Sequence, residues 1–366
     1  MGFGLFVPEF RSDLGMSTAA VGLVSSLGFL GFLLGLVVAQ ALTTRFGPGR
    51  PVLFGMATAT LGMLLVSIAG SMSVLTLGIL LAASSAGLSW TPFNQAIHDN
   101  VSEAQRASAL STISTGTAVG IALAGGAALA MAIGSLSWRV AWLVFAAAST
   151  LAFLANWVAF RNTYRNRQRG SQLGWRAVLQ PSALPLLTVA FVFGTGSAVY
   201  IAFAADHAVA AGGLPGVAVE ATPSLLFIVY GVCGLAGLWA GRTRDIIGLP
   251  MLLRLLMIAS AASLMLIAIA PASWGGLSLS AGLQGLHVMV TSAVLAFWSE
   301  RLFPEAPTLG FTSALFAAAI GNISGPAIAG LVSGAFGAEL MFFAAAALPA
   351  LTAVLLRESH AKEKPA

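Results

Sequence analysis

The sequence has 366 residues, of which 58% are hydrophobic and 8% are charged. A soluble domain carries about 25% charged residues, so this composition excludes a soluble domain and indicates an integral membrane protein. The formal net charge of +5 does not indicate nucleic-acid binding, because the basic residues are scattered over loops and do not form one face. The single cysteine, Cys233, excludes a disulfide framework and a cysteine-based metal site.

The chain reads as a series of membrane spans separated by short polar breaks. A spanning helix needs about 20 apolar residues to cross about 30 Å of hydrocarbon. Residues 1–10 have the composition of the last third of such a helix. The rest of the first half contains five predicted spans, at about 18–42, 52–69, 74–95, 107–133 and 140–160. The second half contains six, at about 185–205, 224–240, 251–270, 274–297, 311–332 and 340–356.

A polar stretch from Arg161 to Arg176 separates the two halves and carries five arginines and no acidic residue. The polar breaks repeat at an offset of about 201 residues, so that the turn at 71–73 corresponds to 272–274. The offset predicts two structural repeats in an all-α integral membrane protein, with twelve transmembrane helices in two six-helix bundles. The predicted segments are an N-terminal bundle (1–160), a cytoplasmic arginine-rich linker (161–180), a C-terminal bundle (181–357) and a cytoplasmic tail (358–366).

The first helix is predicted to be truncated at its N-terminus. The seventh span begins near Pro185, so its repeat partner would begin about 17 residues before Met1. Half a helix cannot cross the bilayer with its backbone hydrogen bonds satisfied. We expect the true start codon to lie upstream, and a genuinely shortened product is the alternative.

The distribution of Lys and Arg predicts the orientation. If the arginine-rich stretch is cytoplasmic, the loops on its side hold 15 of the 17 Lys and Arg residues, and the opposite side holds Arg11 and Arg139. Lys and Arg favour cytoplasmic loops. The expected location is therefore the cytoplasmic (inner) membrane, with a cytoplasmic C-terminus.

Two loops at the repeat offset carry related motifs, QALTTRFGPGRP (40–51) and GRTRDIIGLP (241–250). They resemble the G-x-x-x-D-[RK]-x-G-[RK] pattern in the cytoplasmic loops of the major facilitator superfamily. The resemblance to this superfamily covers the chain from end to end. The fit is incomplete, because Gln40 and Thr44 replace the glycine and aspartate of the first copy, and Ile246 replaces a basic residue in the second. The resemblance implies gating roles for Arg45, Gly47, Arg50, Gly241, Arg242, Asp245 and Gly248.

Two glycine-rich stretches, 115–126 and 321–330, resemble the fifth and eleventh helices of this superfamily. The predicted packing or kink positions are Gly116, Gly120, Gly321, Gly325 and Pro326. The antiporter motif of the fifth helix is not met, because Ile121 replaces its proline. Close helix packing by small residues explains the glycines as well, so they do not establish export.

The resemblance also implies a central cavity lined by helices 1, 4, 7 and 10 of the twelve. Polar groups in spans usually face such a cavity, although buried serines, threonines and a neutral histidine also serve as packing residues. The predicted substrate contacts are Gln284, His287 and Thr291, which share one helical face of the tenth span; Ser85, Ser89, Trp90 and Asn94 on the fourth; and Thr195, Ser197 and Tyr200 on the seventh.

Charged residues are missing from the middle of every predicted span. The unperturbed pKa of a histidine side chain is about 6.5. If transport is proton-coupled, His287 is therefore the candidate coupling residue, with Asp206 and His207 at the outer end of the seventh span, or a residue upstream of Met1, as alternatives. The lack of a buried Arg or Lys argues against a strongly anionic substrate.

The sequence thus predicts a secondary active transporter of a small, neutral or weakly polar organic molecule that works by alternating access as a monomer. Efflux is slightly favoured over uptake, because the cavity helices are apolar and aromatic, and coupling of efflux to protons stays open. An uptake symporter or facilitator and a non-transporting sensor or remnant stay open as alternatives. No enzymatic motif, cofactor, metal site or nucleic-acid partner is expected; the expected partners are the substrate, the lipid bilayer and protons.

Overall fold

The computed structural model describes residues 2–160, 180–304 and 307–356. The predicted linker (161–180) lies almost wholly outside the described residues, and the predicted tail (358–366) lies entirely outside them. The α-helices of the described part are α1 Gly2–Leu5, α2 Val7–Leu14, α3 Thr18–Phe46, α4 Gly49–Ser67, α5 Met72–Asn100, α6 Glu103–Ile133, α7 Trp138–Phe160, α8 Leu184–Ala210, α9 Thr222–Gly234, α10 Ala240–Ile247, α11 Leu249–Ile269, α12 Trp274–Leu302, α13 Pro307–Phe336 and α14 Ala338–Leu355.

The predicted all-helical membrane architecture is confirmed. Within the described residues, eleven helical stretches are long and apolar enough to cross a membrane, and α9 and α10 together form one of them. Each predicted full span has its counterpart among these eleven. The short helices α1 and α2 precede the first of them.

Several helices run further than the predicted spans. Helix α5 continues to Asn100, α8 to Ala210 and α12 to Leu302, about five residues beyond the predicted ends. A helix satisfies its own backbone hydrogen bonds in water as well as in lipid. The change to polar side chains therefore marks the edge of the apolar stretch and not the end of the helix.

The eighth span is interrupted, which the sequence did not predict. Helix α9 ends at Gly234, a 3-10 turn covers Leu235–Trp239, and α10 follows. A Cβ atom added to Gly234 or Gly237 would lie 3.0 Å from the side chain of Met289 on α12. The tighter 3-10 turn therefore lies where the two glycines allow α12 to approach closely.

The described chain divides into two compact units. One comprises residues 1–23, 111–134 and 173–366, and the other comprises residues 24–110 and 135–172. The first unit therefore contains α1, α2 and α8 to α14 with most of α6. The predicted division into bundles at residues 160 and 181 stays a prediction.

Within the second unit, α4 packs against α5 and α7. A Cβ atom added to Gly62 would lie 2.4 Å from the backbone nitrogen of Ala82, so the backbones of α4 and α5 touch. On the other side of α4, the Thr60 hydroxyl donates a hydrogen bond of 3.0 Å to Ser149 Oγ on α7. Small and hydroxyl side chains are the residues that let spanning helices pack this closely.

Within the first unit, glycines bring α8, α9, α12 and α13 together. A Cβ atom on Gly194 would lie 2.1 Å from the carbonyl oxygen of Ala318, which joins α8 to α13. A Cβ atom on Gly285 would lie 2.0 Å from the carbonyl oxygen of Tyr230, which joins α12 to α9. These contacts fix the helices that carry the candidate site.

Candidate functional site

The predicted polar face of α12 is fully enclosed in the first unit. Gln284, His287 and Thr291 have no exposed surface. His287 Nδ1 lies 3.3 Å from Thr291 Oγ1, and the imidazole packs against the ring of Phe193 on α8 at a centroid distance of 5.6 Å. The three residues therefore share one face, as their spacing predicts, and that face meets α8.

Several buried polar atoms around this face have no hydrogen-bond partner among the described residues. They are both amide atoms of Gln284, Nε2 of His287, and the hydroxyls of Ser197 and Tyr230. Ser197 lies one helical turn from Phe193, and Tyr230 contacts the residue after Gln284. A buried polar group without a partner costs about 1–3 kcal/mol and is rare in native proteins. These atoms are therefore the candidates for contact with a ligand or with water.

Tyr200, a predicted cavity residue, takes part in a hydrogen-bonded network. The hydroxyl oxygen of Ser280 lies 3.1 Å from that of Tyr200 and 2.8 Å from the carbonyl oxygen of Ser263. The Ser263 hydroxyl in turn donates to the Ser280 carbonyl at 2.8 Å. This network ties α8, α11 and α12 together and leaves the Tyr200 hydroxyl occupied.

Tyr230 was missed by the sequence reasoning. Its ring lies 6.3 Å from that of Tyr200, and its hydroxyl is buried without a partner. It belongs to the eighth span, which the superfamily resemblance does not place around the cavity. The signal that could have found it is composition, because the chain has three tyrosines and Tyr230 is one of two within predicted spans.

Thr195 lies in a helix contact. Its hydroxyl donates to the carbonyl of Phe191, one turn back, at 3.0 Å. A Cβ atom on Gly321 would lie 2.8 Å from Thr195 Oγ1, and one on Gly325 would lie 3.0 Å from the Thr195 carbonyl. The next residue, Pro326, presents its carbonyl oxygen 2.3 Å from a Cβ atom added to Gly22. These residues form tight packing positions on α13.

The glycines predicted as packing positions on α6 have more open surroundings than those on α13. A Cβ atom added to Gly116 or Gly120 would have no described atom within 4 Å. The close contact of this helix is made by Gly125, whose added Cβ atom would lie 3.0 Å from the backbone nitrogen of Ile228. Among the described residues Gly116 and Gly120 make no such close contact, and their packing or kink role stays a prediction.

In the second unit, the predicted residues of α5 have different surroundings. The Ser85 hydroxyl donates to the carbonyl of Ala82 at 2.7 Å. The Ser89 hydroxyl and the indole nitrogen of Trp90 are buried without a partner among the described residues. The side chain of Asn94 lies outside the described part of the structure. Trp90 therefore offers a free donor, whereas Ser85 is satisfied within its own helix.

A second group of charged residues lies where α2 packs against α8. Arg11 forms an ion pair with Asp206, and its Nε donates to the carbonyl of Met16 at 3.2 Å. Glu9, before the first span, is half-buried, and its Oε2 has no partner. Burial raises the pKa of Glu9 to about 7, and the nearby charge of Glu220 raises it further, against a backbone hydrogen bond that lowers it. The sequence reasoning placed these acids in loops or at span ends, and the burial of Glu9 by tertiary packing was not foreseen.

Glu9→Gln is expected to remove a pH dependence of stability. The folded-state pKa of Glu9 is about 7 against an ordinary value of 4.5. The contribution of protonated Glu9 to the free energy of unfolding is therefore fully present below about pH 4.5 and is lost as the pH rises to about 7. The substitution should stabilise the protein at pH 8 by about 2 kcal/mol, after allowance for partial exposure. Thermal unfolding between pH 4 and 8 measures the effect. The matched Glu339→Gln change, at an exposed carboxylate, should keep the wild-type pH profile of stability. If Glu9→Gln keeps that profile too, Glu9 does not have the raised pKa in the folded protein.

Comparison with known families decides the identity of the fold. The family model described as Major Facilitator Superfamily matches residues 1–237. The chain belongs to the major facilitator superfamily. Solved structures agree: a mutant of the nucleoside transporter NupG superposes with a TM-score of 0.74 at 12% identity, covering 97% of this chain and 95% of that one. A bacterial homologue of the human lysosomal transporter Spinster superposes with a TM-score of 0.72 at 16% identity, covering 96% and 91%.

Relatives in this superfamily match only part of the chain by sequence. Monocarboxylate transporter 13 of Bos taurus is 40% identical over 91 residues, which is 25% of this chain and 21% of that protein. The uncharacterized MFS-type transporter YtbD of Bacillus subtilis is 27% identical over 191 residues, which is 52% of this chain and 48% of that protein. The chain thus spans between about a fifth and a half of the length of these relatives.

The two superfamily loop motifs have matching turns. Gly47 has φ 81° and Gly248 has φ 80°, a backbone conformation that favours glycine, and the two positions are related by the repeat offset of 201 residues. Asp245 is largely exposed and pairs with the adjacent Arg244 at 2.6 Å. Of the remaining motif residues, Arg45 and Arg50 lie over the ring of Phe46, and Arg242 is exposed. A Cβ atom added to Gly241 would lie 3.9 Å from the ring of Phe297.

Over the described residues, no group of three or more His, Cys, Asp or Glu side chains is arranged to hold a metal ion.

Proposed function

We propose that this superfamily member is a secondary active transporter of a small, neutral or weakly polar organic molecule, and that it works by alternating access as a monomer in the cytoplasmic membrane. Efflux is the favoured direction, and the Lys and Arg count supports a cytoplasmic C-terminus. The observation that carries the proposal is the set of unpartnered polar atoms on Gln284, Ser197 and Tyr230, buried inside spanning helices.

The chemistry of this cluster supports a neutral substrate. An amide, two hydroxyls and an imidazole supply donors and acceptors without a fixed charge. A carboxylate substrate would need a nearby cation, and among the described spans the basic residues lie towards the ends. Arg254 is the deepest of these, five residues after the start of α11. The relative named as a monocarboxylate transporter matches 91 residues, so carboxylates belong in the test as the contrasting substrate class.

Two groups are proposed to carry a coupling proton. His287 is the residue predicted from the sequence, and it presents an unpartnered Nε2 in the polar cluster. Glu9 is the second, because burial raises its pKa to about 7, which allows it to change protonation near neutral pH. Removal of the coupling residue should remove the response of flux to a pH gradient.

The test is solute flux in proteoliposomes with a panel of labelled neutral solutes, including a nucleoside and a hexose, and of monocarboxylates such as lactate. We expect saturable flux of at least one neutral solute, driven by a pH gradient and absent from protein-free liposomes. His287→Gln and Glu9→Gln, measured side by side, identify the coupling group. Flux of carboxylates alone would overturn the neutral-substrate proposal, and a folded protein that moves no solute would favour the non-transporting sensor.

A further inference from the structure

Helices α11 and α14 leave an apolar groove on the exposed face of the first unit. The groove has a volume of about 380 Å³. Its floor includes the buried alanines Ala261 and Ala353, and its rims include Ile258 and Val354, whose exposed fractions are 53% and 80%. Small residues on the floor and large exposed residues on the rims give a furrow that lies along the helices.

The length of the groove matches one leaflet of a bilayer. Its lining on α11 extends from Arg254 to Met265, and eleven residues of helix rise about 17 Å. The hydrocarbon core of a bilayer is about 30 Å thick. The groove therefore begins near the end of the molecule where α11 starts and reaches about the middle of the membrane.

Arg254 stands at the head of this groove without an acidic partner. Its Nε donates to the carbonyl of Leu356, just beyond α14, at 2.8 Å. No carboxylate of the described residues pairs with it. A guanidinium has five N–H donors, so four remain for another acceptor. A cation inside a span is costly unless it reaches the headgroup level or gains a counter-ion.

We propose that the groove is a binding site for one anionic phospholipid, with an acyl chain along α11 and α14 and the phosphate paired with Arg254. A guanidinium binds phosphate through two parallel hydrogen bonds, and the phosphate would supply a counter-ion that no carboxylate of the described residues provides. The apolar furrow of one-leaflet length then accommodates the chain. The site is separate from the polar cluster and adds a lipid partner that transport alone does not require.

The test is native mass spectrometry of the detergent-solubilised protein titrated with phosphatidylglycerol, phosphatidylcholine of the same acyl chains, and inorganic phosphate. We expect phosphatidylglycerol to bind about tenfold more tightly than phosphatidylcholine, and phosphate alone not to compete. Arg254→Ala should remove the preference. Ala350→Phe, which fills the groove from α14 and leaves Arg254 in place, should weaken binding of both lipids.

Matched controls guard against general effects of charge and bulk. Arg301→Ala removes an exposed cation outside the groove, and Ala347→Phe adds the same ring to an exposed position of α14 outside the lining. Both should bind lipid as the wild type does. Equal binding of the two lipids, a preference that survives Arg254→Ala, or equal losses in the control variants would overturn the proposal.

Discussion

Gln284→Leu is expected to abolish transport while making the protein more stable. Both amide atoms of Gln284 are buried and have no hydrogen-bond partner in the part of the chain that the structure describes, and each such group costs about 1–3 kcal/mol. Replacement by an apolar side chain of similar size removes that cost, so the midpoint of thermal unfolding should rise. The same replacement removes a donor and an acceptor from the proposed substrate contacts, and flux should fall at least about tenfold.

Gln284→Leu should thus raise stability and lower transport, whereas a general folding defect would lower both. Thermal unfolding of the purified protein and solute flux in proteoliposomes measure the two quantities on one preparation. Gln180→Leu, at an exposed position before α8, is the matched control and should change neither quantity. A destabilised Gln284→Leu protein would show that the amide is satisfied in the folded protein, and unchanged flux would remove Gln284 from the site.

Gly285→Ala is expected to cause the largest loss of stability of any single methyl addition near the site. The added Cβ atom would lie 2.0 Å from the carbonyl oxygen of Tyr230, and a backbone atom of a packed helix cannot rotate away. Helices α9 and α12 would have to separate, at a cost of about 2–3 kcal/mol or more. The separation would also shift α9, which carries Tyr230, relative to α12, which carries Gln284, so transport should fall with stability.

Gly275→Ala is the matched control in the same helix. No described atom lies within 4 Å of a Cβ atom added at Gly275, so alanine should be neutral or should stabilise the helix by up to about 1 kcal/mol. Thermal unfolding and the yield of folded protein distinguish the two variants. Equal behaviour of Gly285→Ala and Gly275→Ala would contradict the close contact between α9 and α12.

The sequence predicts the spans well because the bilayer imposes a simple rule. Every backbone group in hydrocarbon must be paired within its own helix, so an apolar run of about 20 residues can hardly form anything else. The repeat offset carries further information, since Gly47 and Gly248 occupy equivalent turns with nearly the same positive φ. The shared face of Gln284 and His287 also follows from helical periodicity alone.

What the sequence does not predict depends on which helix packs against which. Gly116 and Gly125 both lie in the glycine-rich stretch of α6, and the sequence does not distinguish them as packing positions. Of the two, only Gly125 lies close to a described backbone of a neighbouring helix. Glu9 lies at the end of the predicted partial first helix, and the sequence does not show that it is half-buried in the folded chain. Tyr230 enters the polar cluster only because Gly285 brings α12 against its backbone. Each of these features is decided by a tertiary contact that leaves no period in the sequence.

The accessibility of the polar cluster from the two sides of the membrane tests most directly whether the cluster is a site of alternating access. In a Cys233→Ser background, Ser197→Cys and Ser263→Cys replace two buried hydroxyls, one without a partner and one bonded to Ser280. Membrane-impermeant maleimide would be added from either side of sealed vesicles. Alternating access at the cluster predicts labelling of Ser197→Cys from both sides and none of Ser263→Cys. If Ser197→Cys is labelled from neither side, the cluster is a closed part of the core and is not a site of alternating access.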